Sequence, residues 1–309
     1  MNEKKEIVVV GSCMIDFVCY APRLPKEGET IHGYKFNTNF GGKGANQCVA
    51  AAYLGGNTAL IARVGDDLWG EKYIDHLKKT KVDTTFVKKT SNSATGIAQI
   101  TVSDTGQNQI VIVAGANTKL SVEDVKSAKE LISSAEVVVC QLETSIDVAV
   151  ETLTICSKIS ILNAAPSIKE YETKLLSLPT IFCVNEVEIE DFTGVTVNSL
   201  DDGREAVQRL LRKGCKSVIL TLGSQGALYA TPDRIDHVTT PTVKCVDTTG
   251  AGDAFIGALA YLLAHEKNSD ILEIIKFACF AATDSVTRPG TQASFPDLQI
   301  FSKYDEMNN

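Results

Sequence analysis

The chain has 309 residues, 44% of them hydrophobic and 22% charged, with a formal net charge of −8; this describes a globular protein able to bury a substantial core. No stretch concentrates Lys and Arg enough to neutralise several phosphates, which argues against nucleic acid as a partner, and no apolar run is long enough to span a membrane. Nine cysteines, scattered and set mostly in apolar runs, read as reduced, buried thiols of a cytoplasmic or nuclear protein, and the lack of a Cys-x-x-Cys pair argues against structural zinc.

Residues 1–6 lead into an apolar run at 7–10. No small-residue cleavage pattern follows, so the run predicts a first strand rather than a signal segment. Downstream the pattern alternates: helix at 45–54, strand at 58–64, helix at 69–79. Ser121-Val-Glu-Asp124 resembles a capping box and starts a helix expected to reach about residue 133. A strand at 136–141, a helix at 146–157 and strands at 159–163 and 180–185 follow. A second capped helix starts at Ser199, 217–222 is again extended, and 256–264 is helical.

Alternating strands and helices, with strands apolar throughout, predict an α/β fold of three α-β-α layers around a mostly parallel sheet. Ligands of such sheets gather beyond the strand C-termini, which sets Gly11, Asn185 and Gly223 along one edge. Residues 15–40 and 94–114 break the rhythm. They are strand-like without helices, and a hairpin is expected from 96–102 and 109–113. The expectation is a small β lid over the site that pairs with a second copy as a homodimer.

Asp247-Thr-Thr-Gly-Ala-Gly-Asp253-Ala-Phe255 carries the most chemistry. Small residues at Gly250, Ala251 and Gly252 let backbone N–H groups approach an anion, and the helix they open is positive at that end. Asp253, beside this cradle, can accept a hydroxyl proton, and an acid next to a phosphate site points to phosphoryl transfer. An Asp in a first turn serves equally as a cap.

Gly41-Gly-Lys-Gly-Ala-Asn46 is not a Walker A loop, because no Ser or Thr follows Lys43. Its glycines, Lys43 and Asn46 suit a polyhydroxy ligand, or simply a helix entry. Asp16, after the first strand, and Glu143, closing another, can each accept hydroxyl hydrogen bonds or be solvated loop acids. Asn185-Glu-Val-Glu188 offers oxygens for hydrated Mg²⁺ or a helix cap. The glycines of Thr221-Leu-Gly-Ser-Gln-Gly226 let a nucleotide lie against the backbone, or form a hairpin turn.

Taken together, Gly41 to Gln47, Leu142-Glu143, Asn185-Glu-x-Glu188, Thr221 to Gly226, Asp247 to Phe255 and Thr287-Arg-x-Gly290 resemble, in this order, the ribokinase-like carbohydrate kinases. The likeness covers nearly the whole chain as one domain over 1–309. It implies ATP-dependent phosphorylation of a sugar's primary hydroxyl, O5 of D-ribose, with deoxyribose, fructose or a nucleoside as alternative acceptors. It also leaves room for a catalytically silent sugar sensor. By resemblance Asp253 is the base, Gly250 to Gly252 are the anion hole, and Met14, Asp16, Gly42, Lys43, Asn46 and Glu143 face the sugar. Asn185, Thr221, Gly223, Gly226, Gly252 and Cys279 lie along ATP, and Glu188 acts on the Mg²⁺–phosphate arrangement. Asp247, Thr249, Ser285, Arg288, Gly290 and Ser294 hold an activating K⁺. Met14 departs from the Asn that many bacterial members carry there, and Cys279 from the commoner His or Asn.

Overall fold

Strands whose every side chain is apolar need cover on both faces. In the computed structural model, which describes residues 5–308, that cover comes from helices. The strands are β1 (Ile7–Val10), β2 (Met14–Ala21), β3 (Lys35–Gly41), β4 (Thr58–Gly65), β5 (Asp83–Thr90), β6 (Gly96–Ser103), β7 (Asn108–Val113), β8 (Val137–Gln141), β9 (Ile159–Asn163), β10 (Ile181–Asn185), β11 (Val218–Thr221), β12 (Ala227–Ala230) and β13 (Ile235–Val238). The larger sheet runs β13-β12-β11-β10-β9-β8-β1-β4-β5. It is parallel from β11 to β5, and β12 and β13 extend it antiparallel.

The helices are α1 (Lys43–Tyr53), α2 (Leu68–Lys79), α3 (Val122–Ser127), α4 (Lys129–Ser134), α5 (Ile146–Ile155), α6 (Lys174–Ser177), α7 (Glu186–Thr193), α8 (Leu200–Arg212), α9 (Ala251–His265), α10 (Ile271–Ser285) and α11 (Gln299–Asn308). Strand periodicity divides the core between them. Ile7 and Val9 of β1 pack with Val49, Tyr73, Leu259 and Ile275 from α1, α2, α9 and α10. Val8 and Val10 point the other way, onto Val125, Ile132 and Val148. Phe182 and Val184 of β10 pack on that second face with Ile189, Val207 and Leu210. Each such buried side chain contributes roughly 1.5–3 kcal/mol, so the three expected layers are held from both sides of one sheet.

The smaller sheet has the order β3-β2-β6-β7. Its two segments are the ones expected to break the rhythm, and the β6–β7 hairpin is antiparallel as anticipated. Several expectations need correction. The helix from Ser121 has its capping box, yet it breaks at Ala128 into α3 and α4. Asp16 lies inside β2, paired with Asn39 of β3, rather than in a loop after the first strand. Cys245 is exposed, and Cys19 and Cys156 are only half-buried, although all nine thiols are free. Strands β5, β12 and β13 escape a reading from apolar runs because Asp83–Thr90 is largely polar and the other two have four residues each.

Candidate active site

Helices α1 and α9 lie side by side because Gly257 has no side chain: a Cβ there would stand 2.4 Å from Ala50 Cβ and 2.9 Å from the Gln47 carbonyl. This close approach brings the start of α1 to the first turn of α9. Asn46 Nδ2 donates to Asp253 Oδ2 at 2.9 Å, and Gln47 Nε2 donates to Asp253 Oδ1 at 2.9 Å. The Asp253 side chain is buried, and each of its oxygens holds one amide while keeping lone-pair capacity for a further donor. It does not act as the cap of α9, whose N-cap is Gly250 in the left-handed region at φ 81°.

The cradle beside it is narrower than the sequence suggests. The Ala251 N–H is donated to the Thr248 carbonyl at 3.2 Å, so this member of the expected anion hole is already engaged. For the N–H groups of Gly250, Gly252 and Asp253 there is no backbone partner among the described residues. They are the open donors at the positive end of the helix.

Two cavities meet at this turn. A groove of about 170 Å³ is lined by Lys43, Asn163, Asn185, Glu188, Thr221 and Asp253, together with Gly250 and Gly252. A mainly apolar slot of about 430 Å³ is lined by Gly223, Gly226, Pro241, Val243, Cys279 and Val286. Thr221, Gly252 and Phe255 line both. Gly226 has a second reason to be glycine, since at φ +87° a Cβ would stand 2.0 Å from the Val238 carbonyl oxygen. The segment Thr221 to Gly226 is therefore both the β11–β12 hairpin turn and a wall of the slot.

On the other side of Asp253, Asp16 packs against Gly41, where a Cβ would lie 2.5 Å from Asp16 Oδ2. Met14 is buried on the same strand, paired with Gly41. The Lys43 N–H donates to Glu143 Oε2 at 2.8 Å, and Ser12 Oγ makes a short hydrogen bond to the same oxygen. Gly42 caps α1 at φ 91°, a conformation that favours glycine. Burial raises the Asp16 carboxyl to about 7, with the charges of Glu143 and Asp253 adding to the effect. Burial pulls Lys43 down, but Asp253, Glu143 and Glu188 outweigh it and hold the ammonium above its ordinary value. Lys43 is thus a retained cation among acids.

Asn185 and Glu188 form a capping box on α7. Asn185 Oδ1 accepts from the N–H groups of Val187 and Glu188, and the Asn185 N–H donates to Glu188 Oε2 at 3.0 Å. The oxygen of Asn185 is thus spent on the cap, whereas both side chains still line the groove. Burial raises Glu188, partly offset by the Asn185 N–H and Lys43.

The six residues expected around a monovalent cation form two bonded groups, Asp247 with Thr249 and Gly290, and Arg288 with Ser285 and Ser294. Asp247 accepts from the Gly290 N–H at 2.9 Å and from the Thr249 N–H and hydroxyl at 2.9 and 2.7 Å. These bonds hold its carboxyl below the ordinary value although partial burial opposes them. Ser285 Oγ donates to the Ala282 carbonyl, the Arg288 N–H donates to the Ser285 carbonyl at 3.2 Å, and the Arg288 guanidinium bridges Asp284 and the Ser294 carbonyl.

Four residues that the sequence reading did not single out complete the site. Asn163 and Gln141 both bond to Gln47, Gln292 bonds to Asn46, and Ser12 bonds to Glu143. Gln47 closes a visible motif. Gln292 carries no local signal, because only the fold brings it near residue 46.

Residues 4–298 match the pattern of the pfkB family carbohydrate kinases. A ribokinase from Mus musculus is 46% identical over 300 residues, 96% of this chain and 93% of that protein. A deoxyribokinase from Salmonella typhi is 38% identical over 306 residues, 98% of this chain and 99% of that one. A solved structure of Arabidopsis thaliana ribokinase complexed with ribose and ATP aligns with a TM-score of 0.88 at 31% identity, covering 97% of this chain and 98% of that one. The likeness in sequence and backbone spans both sides of the groove around Asp253, and the chain belongs to the pfkB family of carbohydrate kinases.

Proposed function

We propose that this kinase transfers the γ-phosphoryl group of ATP to O5 of D-ribose. The observation that carries the reading is the position of Asp253, beside open backbone N–H groups at the junction of a polar groove and an apolar slot. The slot suits a nucleotide base, and the sugar lies toward Asp16, Lys43, Asn46 and Glu143. Asp253 orients the acceptor hydroxyl and takes its proton as the new bond forms. Transfer of a phosphoryl group passes through a loose transition state, so orientation and charge neutralisation outweigh basicity. The N–H groups of Gly252 and Asp253, with the Lys43 ammonium, face the charge that gathers on the transferred group.

Glu188 keeps Oε1 outside its capping bond, which fits a role in holding Mg²⁺ through its water shell. When bound to the phosphates, that ion would neutralise charge on their oxygens. Asp247, which accepts from neutral donors of Thr249 and Gly290, and the oxygens of Thr249, Ser285, Arg288, Gly290 and Ser294 are the donor set that would hold K⁺. The smaller sheet acts as a lid that excludes water from the sugar. Its outer strand β7 leaves Ile110, Val111, Ile112 and Val113 exposed, which supports pairing with a second copy.

ADP release measured across an acceptor panel tests the assignment. The expected order puts kcat/KM for D-ribose above 2-deoxyribose, fructose and a nucleoside. A preference for fructose or the nucleoside overturns the substrate, and no turnover with any acceptor, with ATP, Mg²⁺ and K⁺ present, overturns the activity.

A second test uses pH. Asp16 must be ionised to accept two sugar hydroxyls, and in the free enzyme it titrates at about 7. As pH falls below that value the carboxyl gains a proton, so kcat/KM for the sugar is expected to fall about tenfold per pH unit. Asp16→Asn should lower kcat/KM and flatten that limb. An unchanged acid limb in the variant removes Asp16 from sugar binding.

A further inference from the structure

Two chains of carboxamides run outward from Asp253. A carboxylate only accepts hydrogen bonds, so its neighbours must present nitrogen to it, and this choice sets the direction of every bond beyond. In the first chain Asn46 gives Nδ2 to Asp253, which leaves its Oδ1 to accept from Gln292 Nε2 at 2.8 Å. Gln292 also lies 3.3 Å from Tyr73 Oη, and its Oε1 meets His76 Nε2 at 2.7 Å. That histidine nitrogen must therefore be the donor. In the second chain Gln47 Nε2 serves both Asp253 and Asn163, and Gln47 Oε1 accepts from Gln141 Nε2 at 2.7 Å. Asn46, Gln47, Gln141 and Gln292 are all buried, so water does not readily substitute for a lost member.

We propose that Gln292 is a positioning residue for phosphoryl transfer, acting through Asn46 to hold the Asp253 carboxylate and the Asn46 amide in their reactive orientation. The inference rests on Asp253 being the group that receives the hydroxyl proton. Gln292 sits in a short helical turn, Gln292–Ser294, two residues beyond Gly290, whose N–H holds Asp247. Through it, the C-terminal segment and α2 reach the reacting groups. His76 adds a link to the smaller sheet, since its ring stacks on Phe40 of β3 with centroids 4.0 Å apart and planes 8° from parallel.

The test is Gln292→Met, which keeps the volume and removes both hydrogen-bonding ends, made in the native chain and in an Asn46→Ala background. In the native chain kcat for D-ribose is expected to fall roughly ten- to a hundredfold, the scale of a small misplacement of reacting groups, with the KM for ATP unchanged. In the Asn46→Ala background the same substitution should have no further effect on kcat, because the connection is already cut. His76→Phe keeps the stack and removes the donor to Gln292. It provides the test should Gln292→Met fail to fold, with a smaller loss of the same kind expected.

Unchanged kcat in the folded variants, or equal losses in both backgrounds, overturns the positioning role. Asp253→Asn assayed beside them separates the two readings. If it retains turnover the base assignment fails, and if it loses turnover while Gln292→Met stays fully active only the positioning role fails.

Discussion

Replacement of Asp253 by Asn is expected to lower kcat roughly 10²–10⁴-fold, the usual size for loss of a general base. The surroundings make this substitution harsher than isosteric shape suggests. Both carboxylate oxygens receive an amide N–H, one from Asn46 and one from Gln47. Whichever way an Asn side chain turns, its NH₂ confronts one of those donors, a mismatch worth about 1–3 kcal/mol for a buried group. The variant should therefore lose proton acceptance and orientation together, and its melting temperature should drop as well. Steady-state kinetics with D-ribose and ATP, read beside a thermal melt, check both effects. Near-normal turnover in a folded Asp253→Asn protein would remove this residue from the chemistry.

Gly252 offers the second large effect, and here activity and stability should part company. A Cβ at this position meets no atom within 4 Å, although Gly252 lines both the polar groove and the apolar slot. The space in front of it is open to a ligand rather than filled by the fold. Gly252→Val should fold as well as the native protein, because glycine is disfavoured in helices by up to about 1 kcal/mol. Its side chain would stand over the N–H donors of the first turn, and kcat is expected to fall roughly 10²–10³-fold, the scale of losing one oxyanion donor. Gly250 should behave in the opposite way. At φ +81°, with a Cβ only 2.6 Å from Thr291 Cγ2, its replacement by Ala strains the backbone and the packing. Measuring kcat and melting temperature for Gly252→Ala, Gly252→Val and Gly250→Ala distinguishes ligand space from structural need. A Gly252→Val enzyme with native turnover defeats the anion-hole assignment.

The layered fold was legible because its signals are local. Short β-branched runs such as Ile7–Val10 favour buried strands, and caps such as Ser199 on α8 and Ser121 on α3 announce helix starts by side-chain chemistry alone. The break at Ala128 and the polar edge strand β5 were not legible. Neighbouring elements decide whether such segments continue or pair, and their own residues carry no strong preference.

The amino-acid sequence by itself determined the alternation of strands and helices, the two strand-only segments, and the glycine-rich turn with Asp253 at the mouth of an apolar helix. These follow from periodicity and from the conformational freedom of glycine, which are properties of a short stretch. Only the tertiary structure decided that α1 approaches α9 closely enough for Asn46 and Gln47 to hold Asp253, and that burial, with the charges of Glu143 and Asp253 adding to it, raises Asp16 to about 7. It also decided that Gln292 reaches Asn46 across 246 positions of chain. Hydrogen-bond partnership and burial depend on which distant segments share a few ångströms of space, and packing alone selects those.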